Sequence, residues 1–256
     1  MNAAIVIPAR YASTRLPGKP LLRETGKYLI QHVVEAASRS KLAREVIVAT
    51  DDDRIADAVA SFGGRATMTR ADHASGTDRI AEVALRHDAD VFVNVQGDEP
   101  QLEASAIDGL IALLRDDDSV GLATLATPIR QLADYENPNI VKVVCDDSGK
   151  ALYFSRCPIP YVRDGRPDFA EEPAKFLQHL GVYAYRREVL LRLAATLPHP
   201  LEQSEQLEQL RALAHGIGIK VGIIPRGHKG IDTPADYAAF VEGHRVDGTG
   251  SNAQPA

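Results

Sequence analysis

Cys145 and Cys157 are the only cysteines in the 256 residues. They show no paired spacing of the zinc or redox kind, so neither a disulfide framework nor a structural metal is indicated, and both read as reduced thiols. No apolar run reaches the ~18 residues a membrane span needs, and no signal-like apolar core follows a charged start. A cytoplasmic protein with no membrane partner is expected. Excess positive charge is also missing: the net charge is −6 and the isoelectric point about 5.8, which argues against general nucleic-acid or membrane-surface binding. No linker-like stretch and no repeat divides the chain, so one domain over residues 1–245 is expected. Residues 246–256, VDGTGSNAQPA, have almost no core-forming side chains and read as a disordered tail.

A local absence says more. No Asp or Glu precedes Glu24, while Arg10, Arg15, Lys19 and Arg23 fall in the same stretch. Ala3 to Ile7 is a short apolar run suited to a buried strand, which Pro8 is expected to stop. Arg10 to Lys19 is small, polar or basic, with Ser13, Thr14 and Gly18 able to bring hydroxyls and backbone N–H groups near an anion. Gly18-Lys19 is followed by Pro20, and Ser13 stands where a Walker loop needs Gly, so this is not that loop. Nor is it the G-x-G-x-x-G dinucleotide turn. Taken alone it could be a solvated surface loop, but open α/β sheets place ligands directly after such a strand, outside its carboxyl end.

Segments then alternate: helix 29–40, strand 45–50, helix 53–62, strand 65–68, helix 77–87, strand 91–96, helix 105–116 and strand 120–127. This rhythm predicts an α/β fold with a mostly parallel central sheet and helices on both faces. Runs 141–145 and 151–155 flank Asp146-Asp147-Ser148-Gly149-Lys150 and predict an inserted antiparallel hairpin. Residues 157–175 read as a long loop lying over a site or at a subunit contact. Strand 179–185, helices 187–195 and 204–215, strand 220–224 and helix 233–244 complete the chain.

Three more segments carry candidate chemistry. Gln96-Gly97-Asp98-Glu99-Pro100 closes the VFVNVQ strand and sets Asp98 in the sheet crevice, where a carboxylate could hold Mg²⁺ and Gly97 permits close backbone approach. In Gly230-Ile231-Asp232-Thr233-Pro234-Ala235-Asp236, Thr233 suits a helix N-cap, Pro234 the first helical position and Asp236 the third. Asp232 is left over, as a second metal ligand or a turn residue. His73-Ala74-Ser75-Gly76-Thr77-Asp78-Arg79 opens a helix whose free N–H groups could receive an anion or a base edge, or whose Ser75 or Thr77 simply caps it.

IPARYASTRLPGKPL, HASGTDR, VQGDEP, FSRCPIPYVR, HLGVYAYR, SEQLEQLR and GIDTPADY together closely resemble, in the family's order from about residue 3 to 245, the 3-deoxy-manno-octulosonate (KDO) cytidylyltransferases, also called CMP-KDO synthetases. The resemblance implies a single Rossmann-like nucleotidyltransferase domain, a cytoplasmic homodimer, and a reaction of CTP with KDO giving CMP-KDO and pyrophosphate for lipopolysaccharide synthesis. It implies that Pro8, Ala9, Arg10, Ser13, Arg15, Lys19 and Ser75 serve the nucleotide, with Arg10, Lys19 and Asp98 catalytic. Asp98 and Asp232 would bind Mg²⁺, and Gln96, Arg156, His179, Tyr183, Tyr185, Glu208 and Gln209 would line the sugar-acid pocket. Arg156 is expected to hold the KDO carboxylate in a two-point fork. A sugar-1-phosphate nucleotidyltransferase would open with a glycine-rich loop that is missing here. A glycosyltransferase would use Asp-x-Asp, and Asp51-Asp52-Asp53 fits by composition, but it starts a predicted helix, where acids are favoured anyway.

Overall fold

The amino-terminal apolar run becomes the strand on which the others assemble. In the computed structural model, which describes residues 1–12, 16–170, 175–227 and 230–249, β1 (Ala3–Ala9) lies parallel between β2 (Ala43–Thr50) and β4 (Val91–Asn94). Ile5 and Ile7 enter one core, Ala4 and Val6 the other, as the two-residue repeat of a strand requires. Helices α1 (Leu29–Ala37), α2 (Asp53–Ser61) and α4 (Ala104–Asp116) cover the first face through Ile30, Val33, Ile55, Val59, Ile107 and Leu110. Helices α3 (Gly76–Leu85), α6 (Arg187–Ala194) and α8 (Gln209–Ala214) cover the second through Ile80, Ala84, Leu190, Leu193 and Leu210.

The sheet order is β3-β2-β1-β4-β8-β5-β9, with β3 (Arg65–Met68), β5 (Leu122–Pro128), β8 (Leu177–Arg186) and β9 (Ile219–Ile223). The expected hairpin is β6 (Lys142–Cys145) with β7 (Ala151–Ser155). β8 runs antiparallel to β4, β5 and β6. It changes partner along its length: residues 183–186 pair with β4, and Leu177 and Gln178 pair with β6. Between these two pairings lie residues 179–182, opposite the point where the chain leaves β4 at Asn94.

Several expected boundaries move. Pro8 does not stop β1, because beyond Val6↔Asn94 the strand pairs with β2 alone and the missing N–H leaves β4 no bond to lose. A short helix α5 (Leu132–Glu136) occupies a stretch with no expected element. The expected helix 204–215 is two, α7 (Pro200–Glu205) and α8, separated where Gln206 turns left-handed at φ 53°. α7 starts early because His199, Pro200 and Glu202 form a capping box with proline at the helix start. From 157 to 170 the chain is irregular as expected, but Val162 and Phe169 pack on Ile129, Tyr135 and Phe176. The rest of that loop, 171–174, is outside the described residues. α9 (Pro234–Thr249) carries the helix past the expected start of the tail at 246, and 250–256 lie outside the described residues.

α9 docks on α1 through His32, whose ring meets Phe240 at 5.2 Å and His244 at 4.6 Å and whose Nε2 lies 2.7 Å from Thr25 Oγ1. Burial, then His244, lowers the His32 pKa from 6.5 to about 4, against a smaller upward pull from Glu35. The unfolded chain therefore binds a proton between those values that the folded chain refuses, and folding stability is lost as pH falls from about 6.5 through about 4. Urea midpoints at pH 7 and pH 5 test this: His32→Leu should show a smaller drop than the parent, and equal drops would contradict the assignment.

Candidate functional site

Gly18 adopts φ 64° and turns the first loop so that Lys19 starts a single turn of 3-10 helix. Lys19 Nζ then donates to Asp98 Oδ2 at 2.6 Å, to the Ile231 carbonyl at 2.9 Å and to Asp232 Oδ1 at 3.4 Å. Asp98 reaches this point because Gly97 crosses over β1: a Cβ on Gly97 would stand 3.1 Å from the Pro8 carbonyl. Asp232 reaches it because the start of α9 is fixed. Thr233 and Asp236 exchange capping bonds, Asp236 N to Thr233 Oγ1 at 3.2 Å and Thr233 N to Asp236 Oδ2 at 2.9 Å, and Ile231 N donates to Asp98 O at 2.9 Å. Glu99, which sequence reasoning passed over, is half-buried beside them. Its buried Oε2 has no hydrogen-bond partner among the described residues, and burial, then Asp98 and Asp232, pushes its pKa up to about 7. The second acid of QGDEP was the available signal.

Two cavities open on this edge of the sheet. The first, about 320 Å³, is lined by Pro8, Ala9, Arg10, His73, Ser75 and Arg79 among others. The second, about 460 Å³, fills the gap along β8 between β4 and β6, and its walls include Asn94, Gln178, His179, Gly181, Tyr183 and Gln209. Gly76, Gln96 and Glu208 line both. Glu208 is held there by Thr77 Oγ1, which donates to Oε2 at 2.7 Å. Gln209 Nε2 is buried with no hydrogen-bond partner. A larger cleft of about 620 Å³ lies at the amino ends of the parallel strands, around Met1, Asp88 and Asp90, away from every candidate residue.

Pro8, Ala9, Arg10 and Ser75 thus share one cavity, and Gln96, His179, Tyr183, Glu208 and Gln209 the other. Ser75 also caps α3, accepting from Asp78 N at 3.2 Å. Ser13 and Arg15 lie outside the described residues. Lys19 lines neither cavity and sits with the carboxylates. Tyr185 is buried behind the second cavity, hydrogen-bonded to Thr77 and Asn94, with its pKa raised by burial and by Glu208.

Arg156 stands outside both cavities. Its guanidinium is committed to backbone, with Nε donating to Glu205 O at 2.6 Å, Nη1 to Pro138 O at 3.0 Å and Nη2 to Gln206 O at 3.3 Å. Three of its five N–H donors thus go to carbonyls, and Arg156 does not line the second cavity. Lys142, also overlooked, is buried and donates to the carbonyls of Asn137 at 2.9 Å, Ile140 at 2.6 Å and Arg156 at 2.6 Å; burial lowers its pKa. The two cations brace the 137–140 segment and Gln206, which form one wall of that cavity. Another omission is Arg79, 5% exposed, whose Nη1 donates to Thr69 Oγ1 at 2.5 Å at the first cavity. It stands in HASGTDR. Asp52 caps α2, accepting from Arg54 N at 3.0 Å, and Asp53 stands in its first turn, whereas Asp51 lies 3.4 Å from Arg79 Nη1.

A mainly parallel sheet with carboxylates and two adjoining cavities at its strand ends is an open α/β ligand-binding fold, and the relatives that follow make its class the nucleotidyltransferases. A family model described as "Cytidylyltransferase" matches residues 4–220. The 3-deoxy-manno-octulosonate cytidylyltransferase of Syntrophobacter fumaroxidans is 53% identical over 254 residues, covering 98% of this chain and 100% of that one. A solved structure of CMP:2-keto-3-deoxy-manno-octonic acid synthetase complexed with CTP superposes with a TM-score of 0.90 at 45% identity, covering 96% and 100% of the two chains. The 4-diphosphocytidyl-2C-methyl-D-erythritol synthase of Anaerococcus prevotii, 15% identical, shares the fold with a TM-score of 0.64 over 96% of each chain. The chain belongs to the 3-deoxy-manno-octulosonate cytidylyltransferase family.

Lys19 contacts both Asp98 and Asp232, so Lys19→Met removes one cation from a pair of carboxylates that stand near half-buried Glu99. A loss of about 2 kcal/mol is expected in urea unfolding without divalent ions. Asp98→Asn in the same chain should return part of that loss, and a double variant as unstable as the sum of the single variants would show that the groups do not interact.

Proposed function

We propose that the chain transfers CMP from CTP to the anomeric hydroxyl of KDO, releasing pyrophosphate. The observation that carries this reading is the junction of two cavities at Gln96 and Glu208, on the edge where Asp98, Lys19 and Asp232 converge. The nucleotide takes the first cavity, with Pro8, Ala9, Ser75 and the start of α3 at its wall and Arg10 toward its phosphates. Ser13 and Arg15, outside the described residues, are assigned to the nucleotide on the family resemblance. The sugar acid takes the second, where Gln96, Gln209, His179, Tyr183 and Glu208 offer hydrogen bonds to hydroxyls and carboxylate. Gln209 Nε2 is buried and has no hydrogen-bond partner among the described residues. Tyr185 acts behind the wall by holding Thr77 and Asn94, and Arg156 by bracing it.

Attack of the anomeric oxygen on the α-phosphorus is slowed by charge repulsion and poor alignment, and holding both reactants across one junction reduces the second cost. Lys19 and Arg10 reduce the first by placing positive charge where pyrophosphate departs. Asp98 and Asp232 fit Mg²⁺, since they present oxygen donors only and already surround a cation, Lys19. Bound there, magnesium would supply further charge neutralisation at the phosphate oxygens. The same reading carries a cytoplasmic enzyme of lipopolysaccharide synthesis, with no nucleic-acid or membrane partner. It also carries a homodimer, supported by exposed Leu152 and Tyr161 on either side of Arg156. Among the described residues no helix is long and apolar enough to cross a membrane.

Incubation with CTP, KDO and Mg²⁺ should release pyrophosphate and form CMP-KDO; release from CTP alone at the same rate would overturn the reading. Asp98→Asn should lower turnover by at least about 100-fold, the size of one lost transition-state interaction. In a thermal melt, Mg²⁺ with CTP should raise the midpoint of the parent and much less that of Asp98→Asn. Equal shifts in both would remove Asp98 from the metal site.

A further inference from the structure

β8 is irregular where it passes the second cavity. Its pairing with β5 jumps from Thr124↔Tyr183 to Leu125↔Leu180, leaving Gly181 and Val182 as extra residues. A bulge of this kind turns carbonyls out of the ladder. Two of them converge on one fully buried hydroxyl, with Thr124 Oγ1 donating toward Val182 O at 2.8 Å and Leu180 O at 3.1 Å. The third neighbour of that hydroxyl is His179 Nε2 at 2.9 Å.

A threonine hydroxyl has one proton and two lone pairs, and a carbonyl only accepts. The Thr124 proton is therefore taken by a carbonyl, and what the hydroxyl offers the imidazole is a lone pair. Nε2 has to carry the hydrogen. Burial holds the ring neutral, with its pKa lowered to about 3, so Nδ1 keeps its lone pair. Nδ1 has no hydrogen-bond partner among the described residues, and the side chain lines the second cavity.

We propose that Thr124 is a positioning residue that fixes His179 as the Nε2–H tautomer, so that the second cavity presents an acceptor at Nδ1 and selects a hydroxyl of the sugar acid there. A carboxylate oxygen facing that lone pair would be repelled. The substrate part of this statement rests on the proposed function; the tautomer does not.

Nitrogen NMR of protein labelled at histidine reads the tautomer directly, the His179 signal being the one lost in His179→Gln. An Nε2–H signal supports the proposal, and an Nδ1–H or doubly protonated ring at neutral pH overturns it. In kinetics, Thr124→Val should raise the KM for KDO about tenfold, as for one lost hydrogen bond, with little change in kcat or in the KM for CTP. Thr124→Ser, which keeps the hydroxyl, should stay within about twofold of the parent. Equal losses in kcat and both KM values, with Ser no better than Val, would make Thr124 only a packing residue and overturn the positioning role. If Thr124→Val does not fold, the spectrum of the parent protein decides. A parent protein that makes no CMP-KDO defeats the reading of the substrate, and the spectrum still decides the tautomer.

Discussion

Among the described residues, the ammonium group of Lys19 ties the site together. Lys19 Nζ joins segments that are 79 and 213 residues from it in sequence, at Asp98 and Asp232. Bringing two carboxylates together at the end of a sheet, with Glu99 half-buried behind them, costs Coulombic and desolvation energy that one cation between them offsets. The supports around Lys19 are backbone features: the left-handed turn at Gly18, the close crossing of Gly97 over Pro8, and the capping box that starts α9.

The second constraint is the length of β8. With β4 beside one half and β6 beside the other, the sheet has a gap in its middle, and the second cavity fills it. Hydrogen bonds that an unbroken ladder would supply come from side chains, among them Thr124 to the β8 carbonyls and Lys142 and Arg156 to the carbonyls of the cavity wall. Polar groups are thus buried around the opening without being orphaned. Gln209 Nε2 is an exception, buried with no hydrogen-bond partner among the described residues.

Much of this was legible in the chain. β1, β2 and β4 are buried on both faces and read as apolar runs, and the Thr233 to Asp236 box is written in local residue types. Gly97 was readable as a close approach, and a Cβ there would stand 3.1 Å from the Pro8 carbonyl. What could not be read depends on distant partners. The direction of β8 is set by β4, β5 and β6, none of which adjoins it in sequence. The Arg156 fork finds carbonyls 18 and 49 residues away, which residue type alone does not announce. Gln206 breaks a continuous helical pattern by turning left-handed, a conformation its side chain gives no reason to expect. Glu99 stood beside a recognised acid, but its burial is a property of the packed site.

The central claim is that two adjoining cavities hold two different ligands at once. Isothermal titration of KDO into protein saturated with magnesium and a CTP analogue whose α–β bridging oxygen is replaced by methylene tests it, because no transfer can follow binding. The account predicts that KDO binds at one site per chain with the nucleotide analogue in place. Binding of KDO that is lost when the analogue is present would mean that the cavities form one competing site, and would contradict the account.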